Sequence, residues 1–94
     1  MKGILTIATK HALYGRYAYN LAVSVKANAP EIPISIIADA VGISHLNASQ
    51  LSIFDQIITP DPDDYHNGSK CTPLTLKYHL HKYTPYIFTI FMDA

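Results

Sequence analysis

The feature that most limits the fold of this chain is a change of hydrophobic period near its start. Residues 3 to 9, "GILTIAT", form an unbroken β-favouring run, the pattern of a strand covered on both faces, as in parallel sheets. Directly afterwards the spacing becomes helical: Tyr14, Ala18, Leu21, Ala22 and Val25 recur three and four residues apart. They predict one buried stripe on a helix over 14–28, which Pro30 then prevents from continuing.

The alternation repeats. "IPISIIAD" (32 to 39) is a second apolar run, opened by a proline where a strand tolerates a missing N–H and closed by an aspartate. "ISHLNASQLSIF" predicts a short helical segment, and "FDQIITPD" a third strand stopped by Pro60 and Pro62. "DPDDYHNGSKC" is polar and loop-like. Thr72 and Pro73 then make a helix start, an N-cap hydroxyl with proline at the first helical position, and Leu76, Leu80 and Tyr83 form its stripe. Thr84 and Pro85 end that helix, and "YIFTIFMD" (86 to 93) is a fourth buried strand.

Strands alternating with helical segments predict right-handed βαβ crossovers. The expected fold is α/β, a Rossmann-like three-layer half-domain with a mainly parallel sheet of about four strands. Ligands in such sheets sit beyond the carboxyl ends of the strands, near the point where strand order reverses. That singles out Thr9, Lys10 and His11 after the first strand, Asp39 after the second, Thr59 and Asp61 after the third, and Asp93 after the fourth.

Composition narrows the partners. Ninety-four residues make one small domain, and seven acidic side chains balance seven basic ones, so no basic field draws the chain to nucleic acid or anionic lipid. The apolar run near the N-terminus is too short for a signal-peptide core or a membrane span. A single cysteine, Cys71, excludes an internal disulfide and points to a reducing, cytoplasmic compartment.

No glycine-rich phosphate loop follows the first strand. A bound phosphate therefore calls for carboxylate-held magnesium or manganese with a lysine beside it, and Asp93 and Lys77 are the candidates. Each has a plainer reading: Asp93 as a turn or N-cap residue, Lys77 as a solvated lysine on an amphipathic helix. Asp39 either accepts hydrogen bonds from a base or ribose or begins a loop. Tyr14 either stacks on a base or belongs to the core stripe. His79 and His81 lie two apart and point to different sides of a helix, so they do not form a zinc pair. Cys71 has only Lys70 as a basic neighbour, too little to activate a thiolate.

The segment "TLKYHLHKYTPYIFTIFMDA" resembles GT-A fold glycosyltransferases, in particular glycogenin-like and related nucleotide-sugar transferases. The likeness lies in Lys77, the "T-x-Y" turn at Thr84 and Tyr86, and an apolar strand leading into Phe91-Met92-Asp93-Ala94, where that family carries its metal-binding D-x-D motif. More loosely, "ATKHALYGRYAYNLAVSVKA" resembles the base-binding strand end and the tyrosine-bearing helix behind it.

The resemblance implies that residues 1–94 are a nucleotide-sugar-binding N-terminal domain whose donor is a nucleotide-diphosphate sugar such as a UDP-sugar. Ala8, Thr9 and Tyr14 would contact the nucleoside and Lys77 the donor's phosphates or sugar, while Asp93 would begin the site for Mn²⁺ or Mg²⁺. Lys10 and His11 depart from the family's small polar residues. The second D-x-D aspartate would be residue 95, so the expectation is an incomplete GT-A half, inactive alone, that self-associates or recruits a partner segment through an exposed sheet edge. The alternative is a non-catalytic nucleotide-binding or interaction module that keeps the half-fold.

Overall fold

The computed structural model describes residues 2–61, 66–67, 70–71 and 80–92. Strand β1 (Lys2–Ala8) leads into helix α1 (Ala12–Asn28), followed by β2 (Ile34–Ala38), a single turn α2 (Ala48–Leu51) and β3 (Gln56–Ile58). A small antiparallel pair, β4 (His66–Asn67) with β5 (Lys70–Cys71), stands apart from the main sheet, and α3 (Leu80–Tyr83) precedes β6 (Phe88–Phe91).

The main sheet has the order β3-β2-β1-β6, and every pairing is parallel. This is a small Rossmann-like α/β arrangement. From β1 the chain crosses to β2 and then β3 in one direction, then returns to the far side of β1 as β6, so strand order reverses between β1 and β6.

The alternation of side chains along β1 and β2 divides the core. Ile4, Ala8, Ile34, Ile36 and Ala38 face α1 and pack with Ala18, Ala22, Leu46 and Phe54. Leu5 and Ile37 point to the opposite face, where Ile7, Ile58 and Tyr83 cover them. Ala18 and Ala22 are fully buried, and Gly15 lies in the same stripe. Residues this small let α1 lie close on the sheet, and burying each fully covered isoleucine or leucine is worth about 1.5–3 kcal/mol.

Lys26, in the last turn of α1, donates from Nζ to the Ile32 carbonyl (3.2 Å) and pairs with Asp55 (3.2 Å). Asp55 in turn accepts the Ile34 N–H at 2.7 Å, and its own N–H donates to the Ile34 carbonyl at 2.8 Å. The cation also complements the helix's negative carboxyl end. One carboxylate thus ties the end of α1 to the starts of β2 and β3.

The strands β2, β3 and β6 are shorter than their sequence runs, whereas α1 begins earlier, at Ala12. Phe54 is buried in the core ahead of β3, so the third strand begins at Gln56. The fourth begins at Phe88, because residues 84–86 form a side-chain-locked turn: Tyr86 N–H donates to Thr84 Oγ1 (3.2 Å), and Thr84 and Thr89 share a hydroxyl hydrogen bond of 2.5 Å. The Tyr86 ring fills the space above Gly3, where a Cβ would collide with it. Its hydroxyl meets Ser35 Oγ at 2.6 Å. Burial pushes the Tyr86 phenol above its usual range, the Ser35 hydrogen bond works against that, and the negative charge of Asp55 adds to it. Among the described residues, no helix is long and apolar enough to cross a membrane.

Candidate functional site

The crevice expected at a strand-order reversal lies where the carboxyl ends of β1 and β6 meet. These strands pair in register from Lys2↔Phe88 to Leu5↔Phe91, and the Met92 N–H donates to the Leu5 carbonyl at 3.1 Å, which extends the ladder by one step. Ala8 and Thr9, at the end of β1, are fully buried. Thr9 Oγ1 has no hydrogen-bond partner among the described residues, and the same is true of Thr6 Oγ1 deeper in the strand. Buried hydroxyls are nearly always paired, which sets both apart.

Beyond Thr9 the backbone turns sharply. Lys10 adopts φ 76°, the left-handed region that costs a residue with a Cβ about 1–2 kcal/mol. Asp39 holds it there: the Lys10 N–H donates to Oδ2 at 3.1 Å and to Oδ1 at 3.3 Å. The Gly42 N–H donates to Oδ1 at 2.6 Å, and the Asp39 carbonyl accepts the Ile43 N–H at 3.3 Å. The carboxylate therefore fastens the β1–α1 turn to the loop after β2, which leaves a ligand only its remaining lone pairs.

Two glycines make this junction possible. A Cβ on Gly42 would run into the Ala8 carbonyl, and one on Gly15 would run into the Gly42 carbonyl. The end of β1, the 39–43 loop and the first turns of α1 are thus stacked backbone against backbone. An isolated glycine inside a helical pattern, here Gly15, is the available sequence signal for such an approach.

His11 stands before α1 with no side-chain cap. Its ring meets that of Tyr14 edge to face, with centroids 5.2 Å apart and planes at 83°. Tyr14 is 38 % exposed, so it lies outside the packed stripe with a ring surface toward solvent. The core-stripe reading of Tyr14 is thereby corrected, and the stripe is carried by Gly15, Ala18 and Ala22.

The expected site residues divide accordingly. The structure gathers Ala8, Thr9, Lys10, Asp39 and Tyr14 around the β1–α1 turn. Thr59 and Asp61 follow β3 at the far edge of the sheet, two strands from β1. Lys77 and Asp93 lie outside the described residues, and so do Thr72 and Pro73. Among the described residues, no three His, Cys, Asp or Glu side chains group as a metal site. The metal expectation therefore rests on Asp93 alone, and the described part of the crevice offers hydroxyl, aromatic and backbone groups.

A concavity of about 430 Å³ opens between α1 and residues 45–50, lined by none of the residues at the β1–α1 turn. Sequence reading did not anticipate it, because its walls come from two segments with no motif in common. No family model matches the chain, and neither a curated protein nor a solved structure does.

Proposed function

We propose that this chain binds a nucleotide-diphosphate sugar at the crevice between β1 and β6, as the donor-binding portion of a GT-A-type glycosyltransferase. The observation that carries the reading is the reversal of strand order between these two strands, with Tyr14 and the buried, unpartnered Thr9 hydroxyl beside the end of β1.

In this reading the Tyr14 ring stacks on the base, with His11 bracing it edge-on. The turn at Lys10, above the buried Thr9, faces the nucleoside, and Asp39 keeps that turn in position while offering a remaining lone pair to the ribose. Lys77 is proposed to reach the diphosphate as a cationic partner. Asp93 follows Met92 directly in sequence and is the proposed metal ligand. A divalent cation there would neutralise charge developing on the departing diphosphate.

Calorimetric titration with UDP, with and without Mn²⁺, tests the proposal. The expected result is saturable binding at millimolar ligand or tighter. Loss of a stacking ring is worth about 1–3 kcal/mol per base, so Tyr14→Ala should weaken binding by roughly 5- to 150-fold. Lys77→Ala should weaken UDP more than uridine. No heat and no NMR shift at millimolar UDP would refute donor binding. Binding that ignores both Mn²⁺ and Lys77→Ala would favour the non-catalytic nucleotide-binding module.

A further inference from the structure

We infer that the cleft between α1 and residues 45–50 is a second binding site, for a small organic anion: a carboxylate or phosphate carried on an apolar body. The cleft holds about 430 Å³ and is lined by Arg16, Tyr19, Asn20, His45, Leu46 and Gln50, a volume within the roughly 300–1,000 Å³ usual for small-molecule sites.

The lining has one electrostatic sense. Arg16 is the single arginine of the chain, and no aspartate or glutamate lines the cleft with it. It has no ion-pair or hydrogen-bond partner among the described residues. A guanidinium offers five N–H donors in a planar fork that matches a carboxylate or phosphate. Arg16, Tyr19 and Asn20 are spaced i, i+3 and i+4, so they share one face of α1. His45 and Gln50 stand across from them, and Leu46, buried, supplies the apolar floor.

The far wall is built in advance. The Asn47 N–H donates to Gln50 Oε1 at 3.0 Å and the Gln50 N–H donates to Asn47 Oδ1 at 2.8 Å, a reciprocal cap on α2. Because Oε1 is engaged in that cap, the group Gln50 has left to offer is its amide N–H₂. The Leu46 N–H is held by the Ile43 carbonyl at 3.0 Å, and the loop before it is pinned at Gly42. Guanidinium, imidazole and amide donors thus surround an apolar floor.

The site is separate from the β1–β6 crevice. Tyr14 and Arg16 are two residues apart on α1 and so point about 200° apart around its axis. Donor binding and anion binding therefore stand or fall independently.

The test is NMR titration of the full chain with phenyl phosphate and, separately, benzoate, following the amides of residues 16–20 and 43–50. Saturable shifts confined to these residues are expected for at least one probe, and the tighter of the two assigns the anion. Arg16→Gln should weaken that binding about tenfold or more, and Asn20→Asp, which puts a carboxylate into the cleft, should do the same. Lys2→Gln, a lysine outside the cleft, should leave it unchanged. Shifts that stay linear for both probes would overturn the proposal, and so would equal affinities in wild type and Arg16→Gln with an unaltered fold by circular dichroism.

Discussion

Replacing Asp39 by alanine probes the junction on which the crevice depends. The carboxylate accepts the Gly42 N–H at 2.6 Å and the Lys10 N–H at 3.1 Å. Hydrogen bonds to a charged group contribute about 1.5–3 kcal/mol each, so an upper figure for the pair is about 3–6 kcal/mol. Asp39 is only partly buried, and water can reach the freed N–H groups, which brings the expected loss to about 2–4 kcal/mol. Lys10 gains a further reason to leave its left-handed conformation, since the hydrogen bonds from its N–H to Asp39 no longer help to offset the steric cost at φ 76°. Such a loss is a large share of the roughly 5–15 kcal/mol that holds a domain together. At this chain length each kcal/mol moves Tm by about 4–8 °C, so Asp39→Ala should lower Tm by about 8–32 °C. Asp39→Asn keeps one acceptor oxygen and should lose about half as much. Urea denaturation gives the free energy, and native-state hydrogen exchange reads the Lys10 and Gly42 amides directly; both should lose protection. A loss under about 0.5 kcal/mol, the range of ordinary surface substitutions, with both amides still protected, would refute the clamp and return Asp39 to the role of a free ligand group.

Gly42→Ala and Gly15→Ala each drive a methyl group into backbone carbonyl oxygen and should destabilise by about 3 kcal/mol or more, measured by urea midpoint; a neutral result for either would mean that the loop and helix are not stacked as described. Tyr86→Phe removes the 2.6 Å bond to Ser35 and should cost about 1–2 kcal/mol. The raised pKa of Tyr86 has a definite sign: the phenol is favoured in its neutral form by the fold, so its contribution is complete below the unfolded value near 10 and is lost as pH rises through the higher folded value. Thermal scans between pH 8 and 11.5 should show this alkaline loss in wild type and a smaller one in Tyr86→Phe; identical slopes would rule it out. At the sheet edge, Ile87, Phe88, Ile90 and Met92 are exposed at 82, 68, 41 and 38 %, an apolar edge strand of the kind that pairs with other chains. Sedimentation velocity at micromolar concentration should show association that Ile90→Lys reduces, and a monodisperse monomer would count against it.

The main elements of the sheet were readable because burial on both faces leaves a direct trace in residue choice. "GILTIAT" and "IPISIIAD" announce β1 and β2, and the spacing of Ala18, Leu21, Ala22 and Val25 announces α1. Their ends were less readable. Tyr86 belongs to the same apolar run as β6, yet it is folded against Gly3 and Ser35 by the Thr84 turn, a long-range packing decision that local pattern does not encode. The β4–β5 pair falls in a segment whose polar, glycine-containing composition reads as loop.

The candidate site divides along the same line. Its residue types at strand ends, Thr9, Asp39 and Tyr14, could be named from the sequence, because parallel α/β sheets place ligands there. That Asp39 spends its oxygens on Lys10 and Gly42, 29 and 3 residues away, could not, since a carboxylate's partners depend on which loops the sheet brings together. The alternation of periods alone determined an α/β chain with parallel crossovers, because backbone geometry admits few ways to bury such runs. Tertiary structure decided the order β3-β2-β1-β6, the stacking of Gly15 on Gly42, and the cleft around Arg16, because each depends on contacts between segments far apart in sequence.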